Sequence, residues 1–375
     1  MISTIYAMIV ASNRTLTNSG ATMNRTTISS RSIRLVLIGF GSVHRALAQL
    51  LIKKREVLAR KYNLDFEIVG VADSGGAIMQ NGGLDMTALL AHKRAGRSVA
   101  VFAKGEPLPD ALILAQTGDY DLLLEASPVN LSDGEPALSC VRAALDRGKA
   151  AVLANKAPLA LDFVGLHGLA QERGAGLAFS ATVCGGLPVI NVGQRDLIAA
   201  DVHHIEGVFN ATSNYILSRM ALGESYDDAL AEAQRRGLAE ADPSLDVDGW
   251  DAANKLVIIA NAILDLPARL EDVAVEGIRR LSSEQMRAAR ASGQMYRIIA
   301  SARREATGWR LEVGPQLLLQ SSFLGGVDGW EMGIVFHTDI FEDVYLKIVE
   351  RGPVGTAAAM LRDAVNLASG IKPPS

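Results

Sequence analysis

Strand-like segments alternate with helical segments over residues 33–155 of the chain, and this alternation restricts the fold more than any other feature. Each strand-like segment is predominantly apolar, as is typical of strands that are buried on both faces of a parallel sheet. The segments are Ile33–Phe40, Phe66–Asp73, Asp121–Ser127 and Ala150–Asn155. Strands that alternate with helices in this way predict an α/β fold with a doubly wound parallel sheet and right-handed crossovers.

A glycine-containing turn, Gly39–His44, joins the first strand to the first helix. The first glycine permits a tight turn, and Gly41 lets a pyrophosphate approach the N-terminus of the helix. His44 stands where a third glycine is usual. We interpret the segment as the phosphate turn of a Rossmann-type domain. Its predicted cofactor-binding residues are Gly39, Phe40, Gly41, Ser42 and Val43.

Asp73 ends the second predicted strand, where dinucleotide-binding proteins place the acid that binds the adenine ribose. A carboxylate there repels a 2′-phosphate and therefore favours NAD. The loop beyond it carries Lys93, Arg94 and Arg97, so NADP stays open.

The pattern changes after Lys156, and three alternating segments near the end of the chain predict a second, mostly antiparallel sheet. These segments are Trp309–Gln320, Met332–Phe341 and Asp343–Glu350, and a further strand is predicted at Gly176–Val183. We therefore expect a second domain of the α+β class. The predicted divisions are a disordered or dispensable segment 1–32, a dinucleotide-binding domain 33–155, a substrate-binding and dimerisation domain 156–350, and a returning C-terminal helix within 351–375.

The segment Gly237–Lys255 concentrates acidic residues ahead of an apolar helix. Its carboxylates are Glu240, Asp242, Asp246, Asp248 and Asp251. Asp251 and Lys255 are four residues apart in a helical pattern, so they lie on one face of the helix. Carboxylates beside a lysine suit a substrate with an ammonium group and leave the lysine for proton transfer. A solvated acidic loop before a capped helix is the alternative.

Composition excludes several other classes of function. The net charge of −4 and the low aromatic content of 5% give no footprint for nucleic acid. No apolar run reaches the roughly 18 residues needed to span a bilayer. The two cysteines, Cys140 and Cys184, are far apart, and no histidine falls in a recognised metal-ligand spacing. We expect a cytoplasmic enzyme with a small-molecule substrate.

Five motifs together resemble the homoserine dehydrogenase family. They are GFG at 39–41, DLLLEASPVN at 121–130, ANKAPL at 154–159, ATVCGGLP at 181–188 and GLAEADPSLDVDGWDAANK at 237–255. The last motif is the most specific, and the resemblance extends from residue 33 to about residue 367. It implies NAD- or NADP-dependent interconversion of L-aspartate 4-semialdehyde and L-homoserine. We expect the protein to work as a homodimer that forms through the second sheet.

The resemblance also implies roles for individual residues. The substrate-binding positions correspond to Glu240, Asp246 and Asp251. Lys255 would donate the proton, and Lys156 would lie near the nicotinamide and the reacting oxygen. Two lysines that converge from two domains would lower each other's pKa by repulsion. Ser127 and Gly355 correspond to cofactor-contacting positions.

A sodium site is a further implication of the resemblance. The family's carbonyl ligands correspond to Val183, Gly185 and Leu187, whereas Ser180 replaces the glutamate ligand. One charged oxygen is therefore missing, and we expect a lower affinity for sodium.

Two other functions stay open from the sequence. Leu153 and Ala211 depart from the family pattern, which leaves another small amino-acid-like aldehyde or alcohol as substrate. His44 and a shortened loop at Gly352–Ala357 are compatible with a nucleotide-binding homologue of impaired catalysis. Both lysines and the acids are retained, which favours the dehydrogenase. Because the chain stops at Ser375, we expect no C-terminal regulatory domain.

Overall fold

The structure, a computed structural model, describes residues 30–371 and contains two sheets in that range. The first sheet comprises β1 (Arg31–Ile38), β2 (Leu64–Asp73), β3 (Gly76–Met79), β4 (Glu106–Leu108), β5 (Leu122–Glu125), β6 (Ala150–Leu153) and β7 (Leu177–Ala178). The second comprises β8 (Val202–Val208), β9 (Val273–Val275), β10 (Gln294–Glu305), β11 (Gly308–Leu319), β12 (Glu331–Thr338) and β13 (Asp343–Val349). Most of the predicted segment 1–32 lies outside the described residues.

The α-helices cover the sheets and connect their strands. In chain order they are α1 (Ser42–Tyr62), α2 (Met86–Arg94), α3 (Ala111–Thr117), α4 (Ala137–Asp146), α5 (Ala157–Glu172), α6 (Val189–Asn191), α7 (Ala211–Ala221), α8 (Tyr226–Arg235), α9 (Ser244–Val247), α10 (Trp250–Ile263), α11 (Ser283–Ala291) and α12 (Val354–Ala368). No helix in residues 30–371 is both long enough and apolar enough to cross a membrane.

The first sheet has the strand order β4-β3-β2-β1-β5-β6-β7. Its strands from β2 to β7 in this order are parallel, whereas β3 and β4 form an antiparallel extension. Successive side chains of β1 enter different apolar clusters, Leu35 and Leu37 on one face and Val36 and Ile38 on the other. Burial of both faces explains why the strand is apolar throughout. The predicted doubly wound α/β sheet is confirmed.

The second sheet has the order β13-β12-β8-β10-β11-β9 and is antiparallel except for the β9–β11 pair. Its inner face packs against α7 and α10. Its outer face carries Val208, Ile299 and Val335, which form a smaller apolar cluster. The predicted α+β class of this region is confirmed, although β10 was not predicted, because its arginines interrupt the apolar alternation.

The strand that was predicted at Gly176–Val183 is much shorter in the structure. Only Leu177–Ala178 pair with β6, and a 3₁₀-helical turn follows at Ser180–Thr182. The backbone N–H and the hydroxyl group of Ser180 both donate to the carboxylate of Asp363 in α12, at 2.9 and 3.0 Å. This contact turns the chain away from the sheet and leads it into the glycine-rich segment after Val183.

Two helices bring the parts of the site together. α12 packs against α1, and its Ala357, Met360 and Ala364 enter the apolar cluster that contains Leu35 and Leu37. The last helix before residue 371 therefore returns to the first sheet. α5, which starts directly after Lys156, packs against α10 of the second region.

Candidate active site

The turn between β1 and α1 requires glycine at its first position. Gly39 has a φ of +83°, and a Cβ atom there would overlap the backbone of Ser127, which follows β5. Gly41, by contrast, faces open space and precedes α1 without a side-chain cap for the first N–H groups of the helix. Uncapped N–H groups beside an open approach fit an anionic pyrophosphate.

His44 holds this turn in place. Its ring is fully buried, and Nδ1 donates to the carbonyl oxygen of Gly39 at 2.9 Å. Burial lowers the pKa of His44 to about 4, so the imidazole is neutral at neutral pH. The residue that replaces the third glycine therefore fixes the backbone of the turn from inside the domain.

Asp73 has four hydrogen-bond donors around its carboxylate. Oδ1 accepts from the backbone N–H of Gly75 at 2.9 Å and from Ser98 Oγ at 2.7 Å. Oδ2 accepts from Lys93 Nζ at 2.6 Å and from the N–H of Val99 at 2.9 Å. Partial burial raises the pKa of Asp73, but these donors outweigh it and hold the pKa below its usual value. The acid predicted to bind ribose is thus paired with a lysine of its own domain.

Ser127 contacts a buried acid that the sequence analysis did not single out. Its N–H donates to Glu125 Oε1 at 2.8 Å, and its hydroxyl donates to the same oxygen. Burial raises the pKa of Glu125 to about 7. Asn155 Nδ2 lies 3.5 Å from Ser127 Oγ, and Asn155 Oδ1 accepts from the N–H of Ala157 at 2.9 Å. These contacts tie the end of β5 to the start of α5.

Asp251 lies between the two predicted catalytic lysines. Lys156 Nζ is 2.9 Å from Oδ1, and Lys255 Nζ donates to Oδ2 at 2.7 Å. Lys255 also donates to the carbonyl oxygen of Phe209 at 2.7 Å. All three charged side chains are largely buried, with exposed fractions of 13%, 9% and 14% for Lys156, Asp251 and Lys255. The structure therefore brings Lys156 into contact with Asp251 and close to Lys255, both of which are far from it in sequence.

The charges in this cluster change the expected pKa values. Burial raises the pKa of Asp251, but the two ammonium groups outweigh burial and hold it well below its usual range. Burial lowers the pKa of Lys255, but the Asp251 carboxylate outweighs burial and raises it. The expectation that a neighbouring lysine lowers the pKa of Lys255 is therefore wrong, because the Asp251 carboxylate separates the two ammonium groups.

Asn210 orients Asp246 and Asp251 towards each other. Its Oδ1 accepts from the N–H of Ser213 at 2.8 Å as the N-cap of α7, so its Nδ2 faces the acids. Nδ2 donates to Asp246 at 2.6 Å and to Asp251 at 2.7 Å. Burial and then the charge of Asp251 raise the pKa of Asp246. Asn210 was not predicted as a site residue, although its position as the N-cap before an α-helix is a signal in the sequence.

The remaining acids of the Gly237–Lys255 segment lie elsewhere. Asp242 accepts from the N–H of Ser244 at 3.0 Å, and Asp248 pairs with Arg279 at 2.5 Å. Glu240 is exposed, and within residues 30–371 no hydrogen bond or ion pair joins its carboxylate to the lysine cluster. Two of the three predicted substrate-binding acids therefore converge, whereas the structure shows no contact of the Glu240 carboxylate with them among the described residues.

The segment 183–187, which carries the predicted sodium ligands, contacts the start of α12. Glu350 accepts from the N–H of Gly186 at 3.2 Å, and a Cβ atom on Gly186 would lie 3.2 Å from Gly355 Cα. The Leu187 carbonyl oxygen already accepts from the N–H of Val189 at 2.8 Å. Ser180 is committed to Asp363, so Glu350 is the carboxylate beside this turn. The donor set fits a hard monovalent cation only in part.

The fold and the site together define a two-domain, dinucleotide-dependent oxidoreductase, with a phosphate turn on one sheet and a lysine–carboxylate cluster between the two regions. The sequence profile of the homoserine dehydrogenase family matches residues 188–365. The chain is 32% identical to the homoserine dehydrogenase of Methanocaldococcus jannaschii, over 90% of this chain and 99% of that protein. It is 35% identical to the NAD(+)-dependent homoserine dehydrogenase of Pseudomonas canavaninivorans, over 89% of this chain and 96% of that protein.

Solved structures agree with these relatives. A homoserine dehydrogenase from Thiobacillus denitrificans superposes with a TM-score of 0.78 at 29% identity, covering 90% of this chain and 74% of that one. A hyperthermophilic archaeal homoserine dehydrogenase in complex with NADPH superposes with a TM-score of 0.80 at 26% identity, covering 92% of this chain and 99% of that one. The chain belongs to the homoserine dehydrogenase family.

Proposed function

We propose that Lys156, Asp251 and Lys255 form the reaction centre of this enzyme, which interconverts L-aspartate 4-semialdehyde and L-homoserine with NAD or NADP. The observation that carries the assignment of these residues is the buried Asp251 carboxylate, which contacts both Lys156, directly before α5, and Lys255 in α10. A cluster of this kind can hold a proton donor beside a reacting carbonyl group without a metal ion.

The first sheet, with the helices that pack on it, is proposed to hold the cofactor. The turn at Gly39, Phe40, Gly41, Ser42 and Val43 presents N–H groups for the pyrophosphate, and Ser127 and Gly355 are proposed to border the nicotinamide. A bound nicotinamide cofactor supplies or accepts the hydride. Asp73 is proposed to border the adenine ribose with its charge offset by Lys93.

Lys255 is proposed to move the proton. As the aldehyde carbon gains a hydride, its oxygen takes a proton from Nζ of Lys255, and the oxygen–hydrogen bond forms as a nitrogen–hydrogen bond breaks. Because the Asp251 charge raises the pKa of Lys255, the proton stays available at neutral pH. Homoserine oxidation needs the neutral amine instead, so its rate is expected to rise with pH in the alkaline range. Lys156 is proposed to orient the reacting oxygen.

The acids are proposed to bind the α-ammonium group of the substrate. Asp246 and Asp251 are already held side by side by Asn210, so a cationic group between them would relieve their repulsion. Glu240 is proposed as a third ligand because its exposed carboxylate lies on the same segment and has no competing cation among the described residues.

Sodium has a lesser role in this proposal. The carbonyl oxygens of Val183, Gly185 and Leu187, with the Glu350 carboxylate, would hold the ion beside the start of α12. No chemical step depends on it.

We further propose that the protein is a cytoplasmic homodimer. The outer face of the second sheet continues from its buried apolar cluster onto the edge strand β13, where Tyr345 and Val349 are each 51% exposed. A second copy would cover these side chains. Light scattering after size exclusion should give twice the chain mass, and Tyr345→Glu should shift it to the monomer. A wild-type monomer at micromolar concentration would exclude the dimer.

One assay tests the assigned reaction and the role of Lys255 together. Homoserine-dependent reduction of NAD and NADP is followed by absorbance at alkaline pH. The wild type should turn over, and Lys255→Met should stay folded at the assay temperature, with a lower melting temperature, yet lose about 10²–10⁴-fold in kcat. Lys53→Met, on the exposed face of α1, is the matched control and should retain full activity. No turnover by a folded wild type would refute the reaction, whereas full turnover by Lys255→Met would refute only the role of Lys255.

A further inference from the structure

A cluster of histidine and acidic side chains lies on the outer face of the second sheet, away from the reaction centre. His204 and Glu206 are two residues apart in β8 and therefore point to the same face. In the antiparallel register, His337 of β12 is the partner of His204, and Asp343 of β13 is the partner of His337. Three neighbouring strands thus place four side chains next to one another, each of which could bind a metal ion or orient a residue that does.

The ligand atoms of three of these residues converge. His204, Glu206 and His337 each place one nitrogen or oxygen atom within 4.8 Å of the other two. His337 Nε2 is 3.4 Å from one Glu206 oxygen, and His204 Nε2 is 4.0 Å from the other. Two ligand atoms of a tetrahedral zinc ion are about 3.3 Å apart, so one pair already has that spacing.

One ring nitrogen in the cluster is also left without a hydrogen bond. Within the described residues, His337 Nε2 is buried and makes no hydrogen bond of ordinary geometry, although it faces a Glu206 oxygen at 3.4 Å. Its other nitrogen, Nδ1, is 2.6 Å from Asp343 Oδ1. A carboxylate on the far nitrogen of a histidine is the usual arrangement for a metal ligand, because it orients the ring and makes the free nitrogen more basic. His204 is buried as well, and its Nε2 lies 3.0 Å from Ser301 Oγ.

We propose that His204, Glu206 and His337 bind a divalent transition-metal ion of the zinc class, with Asp343 orienting His337. Two imidazole groups and one carboxylate suit zinc, whereas magnesium and calcium prefer oxygen ligands throughout. Three protein ligands leave a fourth position for water.

Metal binding requires a small rearrangement. The rings of His204 and His337 are stacked, with centroids 4.6 Å apart and an interplanar angle of 8°, so their lone pairs are parallel. One ring must turn about its Cβ–Cγ bond for both nitrogens to reach one ion, and this torsion is broad in histidine. His204 is the ring that turns, because Asp343 fixes His337. The bound ion would then join β8 to β12.

Zinc titration of the purified full-length protein tests the proposal. The wild type, stripped with a chelator, should bind one zinc ion per chain by calorimetry and show a higher melting temperature with zinc than without. His337→Gln and Glu206→Gln should remove this binding and the shift in melting temperature. Asp343→Asn keeps all three ligands and should weaken zinc affinity by about 10–100-fold.

A matched control separates this site from a histidine elsewhere in the chain. His167 packs against Phe163 in a different aromatic cluster, so His167→Gln should bind zinc as the wild type does. Magnesium in place of zinc should give no shift in melting temperature. Absence of stoichiometric zinc binding by the wild type, or equal binding by His337→Gln, would overturn the proposal. Both measurements are independent of dehydrogenase activity, so the proposed reaction stands or falls separately.

Discussion

Buried ionisable groups near the Gly39–His44 turn favour their neutral forms, whereas those in the Lys156–Asp251–Lys255 cluster stay charged. In the first region, burial lowers the pKa of His44 to about 4 and raises the pKa of Glu125 to about 7, which favours the neutral forms of both. In the second, Asp251 stays charged because it is flanked by Lys156 and Lys255. An anionic cofactor needs backbone N–H groups and little competing charge, whereas an ammonium substrate and a proton donor need charges that are held in place.

Asp251→Asn should break this contrast with the largest effect. It leaves two buried ammonium groups without their shared carboxylate, so the free energy of unfolding should fall by about 3–5 kcal/mol. The pKa of Lys255 should also fall, because burial is no longer opposed, and the pH profile of homoserine oxidation should move to lower pH. Chemical denaturation and the pH dependence of kcat/KM measure the two effects.

Asp248→Asn is the control for that variant. Asp248 pairs with Arg279 at a half-exposed position, so its loss should cost no more than about 1 kcal/mol and should leave the pH profile unchanged. An unshifted profile in Asp251→Asn would contradict the proposed coupling to Lys255.

A pair of glycine variants tests the cofactor turn. Gly39→Ala should lower the free energy of unfolding by roughly 2–4 kcal/mol, because a Cβ atom there meets the Ser127 backbone at a positive φ. Gly41→Ala should fold normally, since its Cβ atom meets open space, yet it should bind dinucleotide more weakly. Thermal unfolding with and without cofactor distinguishes the stability loss of Gly39→Ala from the weaker cofactor binding of Gly41→Ala. Equal losses of stability in the two variants would contradict the expected difference between these glycines.

Glu125→Gln tests whether the first region favours neutral groups. A carboxyl group with a raised pKa stabilises the fold below its ordinary pKa of 4.5, and that contribution is lost as the pH rises through about 7. The wild type should therefore lose up to about 3 kcal/mol over this range relative to the variant. Urea denaturation at several pH values measures the difference, with Glu56→Gln on the exposed surface of α1 as control. If the free energy of unfolding depends on pH in the same way for the wild type and Glu125→Gln, Glu125 makes no such pH-dependent contribution.

Lys93→Met should have the smallest effect, and it tests how the charge of Asp73 affects the choice between NAD and NADP. Without Lys93 the charge of Asp73 is no longer offset, so the affinity for NADP relative to NAD should fall by about tenfold, or about 1.4 kcal/mol. Dissociation constants from fluorescence quenching give the ratio. Arg94→Met removes a cation from the same helix but no partner of Asp73, and it should leave the ratio unchanged. A ratio that does not change in Lys93→Met would mean that Asp73 does not border the ribose.

Local pattern was enough for much of the fold and the family. The apolar run before Gly39 predicted β1, because a strand buried on both faces has to be apolar. The strand–turn–helix order predicted the glycine turn before α1. The spacing of Asp251 and Lys255 predicted their contact in one helix, since residues four apart in a helix are neighbours. Lys156 was predicted as a catalytic residue only through the family resemblance.

Other features depended on contacts between distant segments. Asn210, Glu125 and Glu350 carry no distinctive local pattern, and each acquires its role from neighbours in other elements. The histidine pair His204 and His337 was missed for the same reason, because the ligand spacing exists across a strand register and not along the chain.

By itself, the sequence determined the class of sheet, the position of the glycine turn between β1 and α1, and the family, because these depend on residues that are close together along the chain. Only the tertiary structure decided the state of the charges. It placed Asp251 between two lysines, which raises the pKa of Lys255 where repulsion had been expected to lower it, and it paired Asp73 with Lys93. The physical reason is that a pKa depends on burial and on charges within a few ångströms, and those neighbours come from helices and strands that meet only in the folded chain.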